Sequence, residues 1–249
     1  MRVTVRGSCY AYAHPDVTLM QLDIFPAHPN IIVCIHGLGR HRFDMKPLEW
    51  RLKRHFPQST VLNFGYRSRY ETIEEHATRL LTFLNQSVAP GSRLHFVCHS
   101  LGSIVLRASA ERLSTTFSLG RVVMLGPPNQ GSALAKALLP FGVFRKILGP
   151  SLPELANLSI PLATDLFEIG VIAGGTGARF GFLPLLKGDN DGVVRVEETT
   201  LPGMRAHLQV RVTHPMLIMR SKVARLAALF LERGSFQPAV FPTPEIMSL

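Results

Sequence analysis

The sequence predicts an α/β fold with a mostly parallel central sheet and helices on both faces, an expectation that rests on three observations. Short apolar runs alternate with stretches of helical periodicity, no repeat or low-complexity segment interrupts them, and 46% of the 249 residues are hydrophobic against 18% charged. The first observation gives the β-α-β-α order that places strands side by side and parallel, and the third supplies a core large enough for one sizeable domain. The same composition excludes disorder, a coiled coil and a collagen-like fibre.

Six apolar runs read as strands, at Ile31–Ile35, Thr60–Phe64, Leu94–Cys98, Arg121–Leu125, Ile169–Ala173 and Leu208–Val212. Helical patterns fall at about 45–56, 71–88, 101–113 and 217–233. The stretch 133–186 departs from the rhythm, mixing apolar helical turns with Pro140, Pro150, Pro153, Pro161 and Pro184. It is expected to leave the sheet as a lid or cap with the fifth strand embedded in it. The tail 234–249, with Pro238, Pro242 and Pro244, is expected to be extended and peripheral.

Charge limits the partners. Lysine and arginine total 27 against 17 acidic residues, a formal charge of +10, and such a field attracts nucleic acid, anionic lipid or an acidic substrate. Six of the basic residues lie between Arg40 and Arg54, where Leu48, Leu52 and Phe56 recur at helical spacing, so these charges read as the outer face of an amphipathic helix. No zinc finger, aromatic-basic RNA signature or basic zipper accompanies them, so no nucleic acid is expected, while peripheral contact with an anionic membrane surface stays open. Cys9, Cys34 and Cys98 are too few and too scattered for a disulfide framework or a zinc site. Met1–Arg6 is not followed by the apolar core of a secretory signal, and no uncharged stretch reaches the ~18 residues of a membrane helix. A cytoplasmic, reduced setting is the expectation.

The segment Leu94-His95-Phe96-Val97-Cys98-His99-Ser100-Leu101-Gly102 runs a strand directly into a helix with a serine at the corner. Small neighbours permit the tight turn, the serine Oγ stands at the helix N-terminus, and the Leu101 N–H faces any oxyanion formed there. A serine so placed would also serve simply as the helix N-cap. Ile31–Ile35 ends in His36-Gly37-Leu38-Gly39, a second flexible turn on the same sheet edge, so Leu38 can offer a second N–H to the oxyanion. His36 reads as a hydrogen-bonded stabiliser of that turn.

A serine nucleophile needs a base and an acid that orients it, in the chain order Ser, Asp/Glu, His on this kind of sheet. Only His207 and His214 follow Ser100. His207 falls at the amino end of the last strand, on the wrong edge, and His214 just past its carboxyl end. Of the aspartates beyond Ser100, Asp165 lies before the fifth strand, whereas Asp189 and Asp191 share the turn Gly188-Asp189-Asn190-Asp191-Gly192-Val193-Val194. Asp191, anchored by the apolar pair after Gly192, is the expected acid, with Asp189 in reserve. The turn lacks EF-hand spacing, with Val193 and Thr200 where ligands are needed. Gly175-Thr176-Gly177 fails the dinucleotide pattern because the third glycine falls late, at Gly181, and Pro184 follows. No metal or cofactor is therefore expected.

Taken together, His36-Gly37-Leu38-Gly39, Cys98-His99-Ser100-Leu101-Gly102, Leu125–Ser132, Asp191-Gly192-Val193-Val194 and His214 resemble the α/β-hydrolase superfamily in its bacterial lipase and esterase-like branch, over roughly residues 28–234. The departure is Cys98, which stands at the first, usually glycine, position of the serine motif. The resemblance implies a single-domain serine hydrolase of carboxylic esters, small-molecule or lipid, with Ser100, Asp191 and His214 catalytic and Leu38 and Leu101 forming the oxyanion hole. His36, Gly37, Gly39, His99 and Gly102 would shape the site, and Pro128, Gly131 and Ser132 would support it. An acyltransferase or thioesterase would use the same residues, and a binding protein on a decayed hydrolase fold is the reading that Cys98 favours. Ala133–Phe144, including Leu138 and Phe141, either lines an acyl-chain channel or packs as core.

Overall fold

The computed structural model describes residues 31–237, so the expectations placed on Met1–Arg6, on Cys9 and on the tail beyond Gln237 lie outside the described residues. Six strands, β1 (Ile31–Ile35), β2 (Thr60–Phe64), β3 (Arg93–His99), β4 (Ser118–Leu125), β5 (Glu168–Gly175) and β6 (Ala206–Arg211), form one sheet in the order β2-β1-β3-β4-β5-β6. Every neighbouring pair is parallel. The central strands β3 and β5 are buried along almost their whole length, which is why their sequences read as continuous apolar runs rather than alternating ones.

Helices cover both faces. Leu48 and Leu52 of α1 (Lys46–His55) join Val223, Ala227 and Phe230 of α7 (Ser221–Arg233) over Ile32, Cys34 and Val97. On the opposite face Ile73, Leu80 and Leu84 of α2 (Ile73–Ser87) and Ile104 and Val105 of α3 (Leu101–Ser114) meet Val33, Ile35 and Phe96. The sorting of Ile32 and Cys34 to one core and Val33 and Ile35 to the other is the period-two alternation of a strand. Thr72 and Glu75 begin α2 with a reciprocal capping box, and Gly234 ends α7 in the left-handed conformation.

Between β4 and β5 the chain makes three short helices, α4 (Ala133–Leu138), α5 (Gly142–Leu148) and α6 (Ser151–Ala156). Prolines divide them: Pro140 follows α4, Pro150 immediately precedes α6 and Pro153 sits in its first turn. The helices are tied to the body where the Ile73 N–H donates to Glu154 Oε2 (2.9 Å) and Ser151 Oγ donates to the Glu71 carbonyl (3.0 Å). Two expectations change here. β5 is paired on both sides, with β4 and β6, and so belongs to the sheet rather than to the excursion. The start of the tail is not peripheral either, since Phe236 is buried with its ring 5.0 Å from that of Phe230.

Candidate active site

The strand order reverses at β1 and β3, the connection to β2 running one way from β1 and β3 returning on its other side. The crevice at the carboxyl ends of such a pair is where open α/β sheets place ligands. Ile35 pairs with Cys98, so the turns after β1 and β3 lie against each other. Ser100 occupies the corner between β3 and α3 at φ 54°, ψ −124°, left-handed backbone that a residue with a Cβ rarely adopts. Its N–H donates to the Leu125 carbonyl (2.9 Å), and its side chain makes no capping hydrogen bond. The serine thus stands at the N-cap position without capping through its side chain, and the backbone strain, a cost of about 1–3 kcal/mol, must be met by packing around it. Glycine makes that packing possible: a Cβ on Gly102 would lie 2.6 Å from the His36 carbonyl, and one on Gly37 would lie 2.9 Å from Ser100 Cβ.

His36 holds the facing turn. Its Nδ1–H donates to the Gly37 carbonyl (3.0 Å), its Nε2 accepts from the Tyr66 N–H (3.3 Å), and the two rings stack 4.2 Å apart. Tyr66 completes the circuit by donating its hydroxyl proton to the His36 carbonyl (2.7 Å). The Gly39 N–H donates to the buried Ser68 Oγ (3.0 Å). No hydrogen bond engages the Leu38 or Leu101 N–H among the described residues.

His214 follows β6 and opens a short 3-10 turn. Its Nδ1 lies 2.6 Å from Asp191 Oδ2, and its backbone N–H donates to the Asp191 carbonyl (2.8 Å). The other carboxylate oxygen, Asp191 Oδ1, accepts from the N–H groups of Val193 (3.0 Å) and Val194 (2.8 Å), which fixes the carboxylate before the imidazole meets it. His99 adds a brace: its Nε2–H donates to the His214 carbonyl (3.2 Å), and its ring centroid is 4.6 Å from that of His214. Burial holds the His99 ring well below the usual histidine pKa, so it braces as a neutral donor. Asp189 is occupied elsewhere, accepting from the Thr176 (2.8 Å) and Gly177 (2.8 Å) N–H groups. His207 lies within β6, with its Nε2 2.9 Å from Thr199 Oγ1.

Ser100 and His214 face one cavity of about 250 Å³. Leu38, Arg40 and Pro128 line it from the body of the fold, and Leu134, Leu138, Leu148, Leu152 and Leu155 form an apolar wall from the three short helices. Phe141, expected on that wall, is 59% exposed and is not part of the lining; its ring meets Phe144 edge-on instead. The wall draws on all three short helices, each too short for its own periodicity to show in the sequence which side faces the serine. Ser132 caps α4 by accepting from the Ala135 N–H (3.1 Å) and lines the same cavity as Ser100. Cys98 is fully buried in β3 with its thiol pKa pushed well above the ordinary value by burial, which makes it an inert core side chain beside the serine.

The buried histidines make stability depend on pH. Burial lowers the pKa of His36 from 6.5 to about 4, and burial together with the nearby Arg93 and Arg121 charges lowers that of His95 to about 3. Between those values and 6.5 the unfolded chain binds protons that the folded chain refuses, so stability is full at neutral pH and falls as pH drops below 6.5. The expected loss is on the order of 2 kcal/mol for each ring by pH 5. Urea denaturation at pH 7 and pH 5 checks this, and an unchanged midpoint would contradict it.

No protein-family model matches the chain, and a search of curated proteins returned no match. Solved structures do. The mature lipase BlEst2 of Bacillus licheniformis superposes with a TM-score of 0.59 at 20% identity, covering 78% of this chain and 88% of that one. A Listeria innocua protein gives 0.55 at 15% identity, over 87% of this chain and 96% of the other. Phospholipase PlaB of Legionella pneumophila gives 0.54 at 20% identity, over 70% of this chain but 45% of its own. At such identities the likeness speaks for the fold, and it agrees with the parallel sheet and the strained serine corner at its switch point: this chain has the α/β-hydrolase fold.

Proposed function

We propose that the protein is a serine hydrolase that cleaves carboxylic esters through an acyl-enzyme. The observation that carries the reading is the strained Ser100, its side chain free of any capping hydrogen bond, sharing one cavity with His214, whose Nδ1 is held 2.6 Å from Asp191. His214 takes the Ser100 proton as Oγ attacks the acyl carbon, and the Leu38 and Leu101 N–H groups receive the oxyanion. Collapse of the tetrahedral intermediate breaks the ester C–O bond, and the alcohol leaves with the proton from His214. Water then repeats the sequence on the acyl-serine and releases the acid. Asp191 keeps the imidazole in the Nδ1–H tautomer and balances its charge. The lipase BlEst2, which shares the fold, supports an ester substrate by analogy. Labelling of the pure protein by a fluorophosphonate tests the nucleophile, and absence of labelling at Ser100 would overturn the reading.

The leucine wall suits the acyl part of the substrate. Esters of medium-chain acids are expected to show higher kcat/KM than acetate, with up to about 0.8 kcal/mol for each methylene that enters the cavity. Leu138→Asn should flatten this profile while acetate changes little, because the wall touches chain atoms that acetate lacks. A wild-type profile falling steadily from acetate onward would mean that the cavity does not hold the acyl chain.

A further inference from the structure

Beside the serine cavity lies a larger open groove of about 590 Å³, built from the turn after β1 and the loop after β2. Arg40, Arg42, Arg67 and Arg69 all line it, and Arg40 lines the serine cavity as well. The sequence suggested that the basic run from Arg40 to Arg54 was one solvated helix face. Lys46, Arg51, Lys53 and Arg54 do lie on α1, where Lys46 and Lys53 pair with Glu49, but Arg40 and Arg42 precede that helix and turn up in the groove.

The four arginines form no ion pair among the described residues. One acid shares the groove, Asp44, and its Oδ2 is already engaged by the His41 N–H (2.8 Å). Aromatic faces hold two of the forks, Arg42 lying 5.3 Å from the Phe43 ring centroid and Arg67 5.6 Å from that of Tyr70. A third lies against the turn after β1: a Cβ on Gly39 would lie 3.3 Å from Arg69 Nη2, so this guanidinium packs on the same turn that carries Leu38. The loop bearing it is fixed from behind, where a Cβ on Gly149 would overlap the Arg69 carbonyl. Four like charges gathered around one groove repel one another, and a multiply charged anion reached by several planar forks relieves that repulsion where a single carboxylate relieves less.

We infer that this groove is a subsite for a phosphate group carried on the leaving-group side of the ester substrate, with the acyl chain on the leucine wall and Arg40 between the two. The inference rests on the serine-hydrolase reading for its orientation but not for the binding itself. The reaction remains ordinary acyl transfer. Ser100 Oγ gains the acyl group, the C–O bond to the phosphorylated alcohol breaks, that alcohol takes the proton from His214, and the phosphate ester bonds stay intact. A phospholipid headgroup and a water-soluble phosphorylated ester present the same group.

The test compares hexanoyl glycerol with hexanoyl glycerol 3-phosphate, both below their micellar concentrations, by release of hexanoate. The wild-type protein is expected to prefer the phosphorylated ester by about tenfold or more in kcat/KM, mainly through KM, and to lose much of that preference between about 0.05 and 0.5 M NaCl. Arg67→Gln with Arg69→Gln should lower the ratio of the two specificity constants by about tenfold, and the corresponding double lysine variant should restore part of it. A wild-type ratio near one, or a ratio that the double glutamine variant leaves unchanged, overturns the subsite. Calorimetric binding of glycerol 3-phosphate to Ser100→Ala needs no turnover, so it separates failure of the subsite from failure of the hydrolase reading. Binding that the double glutamine change weakens supports the subsite even if neither ester is hydrolysed, and absence of binding overturns it even if both are. Vesicles of phosphatidylcholine with and without phosphatidic acid distinguish the sources. Capture by the acidic vesicles that survives the double glutamine change, with no binding of glycerol 3-phosphate, means attraction to a charged surface and overturns the subsite.

Discussion

Ser100→Ala is expected to abolish ester hydrolysis, with a loss of several orders of magnitude in kcat, while the protein stays folded. The magnitude follows from the proposed chemistry, in which removal of Oγ prevents the acyl-enzyme and leaves only the oxyanion donors and substrate binding. The intact fold follows from local structure: the side chain makes no capping hydrogen bond, and alanine has the same Cβ in the same left-handed backbone. Ser100→Gly separates the two properties further. It should be equally inactive yet more stable by about 1 kcal/mol, since glycine relieves the positive φ of 54° that serine is forced to adopt. Ester assays with thermal melts of both variants check this. Activity in the alanine variant within about tenfold of wild type would remove Ser100 from the mechanism, and a glycine variant no more stable than wild type would show that the corner stores no strain.

What could be read from the sequence was what local physics determines. The interior strand runs are apolar because both faces of the sheet are covered there, and Ser100 announces itself through a strand that meets a helix with no loop between. His214 could be separated from His207 because the two lie at different ends of one strand, and the sheet has only one edge where the strands' carboxyl ends gather. What escaped was set by contacts distant in sequence. Leu148, Leu152 and Leu155 reach the cavity only because α5 and α6 fold back over the carboxyl ends of the strands, and no periodicity within segments of six or seven residues shows which way they face. Phe141 sits in an apolar run and yet turns outward. In the same way Arg40 and Arg42 look continuous with the charges of α1, and only the loop bringing Arg67 and Arg69 against them makes a groove. The His99 brace on His214 lies 115 residues away in the chain, beyond any local pattern.

Asp191→Asn is expected to lower kcat by roughly 10⁴-fold with little change in the fold, and His214→Ala to be at least as damaging. The effect depends on which atom each hydrogen bond leaves available. Asp191 Oδ1 accepts from two backbone N–H groups, Val193 and Val194, so in the asparagine variant the amide oxygen must take that place to keep both satisfied. The amide NH₂ then points at His214 Nδ1, which must become an acceptor, and the imidazole proton moves to Nε2, where it can no longer receive a proton from Ser100. The variant is thus inactive because its structure is preserved, which is a sharper expectation than loss through disruption. Asp189→Asn tests the same turn without that consequence. Its carboxylate accepts from the Thr176 and Gly177 N–H groups at the end of β5, so the change should cost stability, about 1–3 kcal/mol, and much less turnover. His207→Ala should likewise spare turnover, since its ring meets Thr199 and stands away from the cavity. Steady-state kinetics on the four variants, with NMR of the His214 ring protons in Asp191→Asn, decide between the assignments. If Asp189→Asn were the damaging change and Asp191→Asn the mild one, the acid would have to be reassigned, although the serine mechanism would stand.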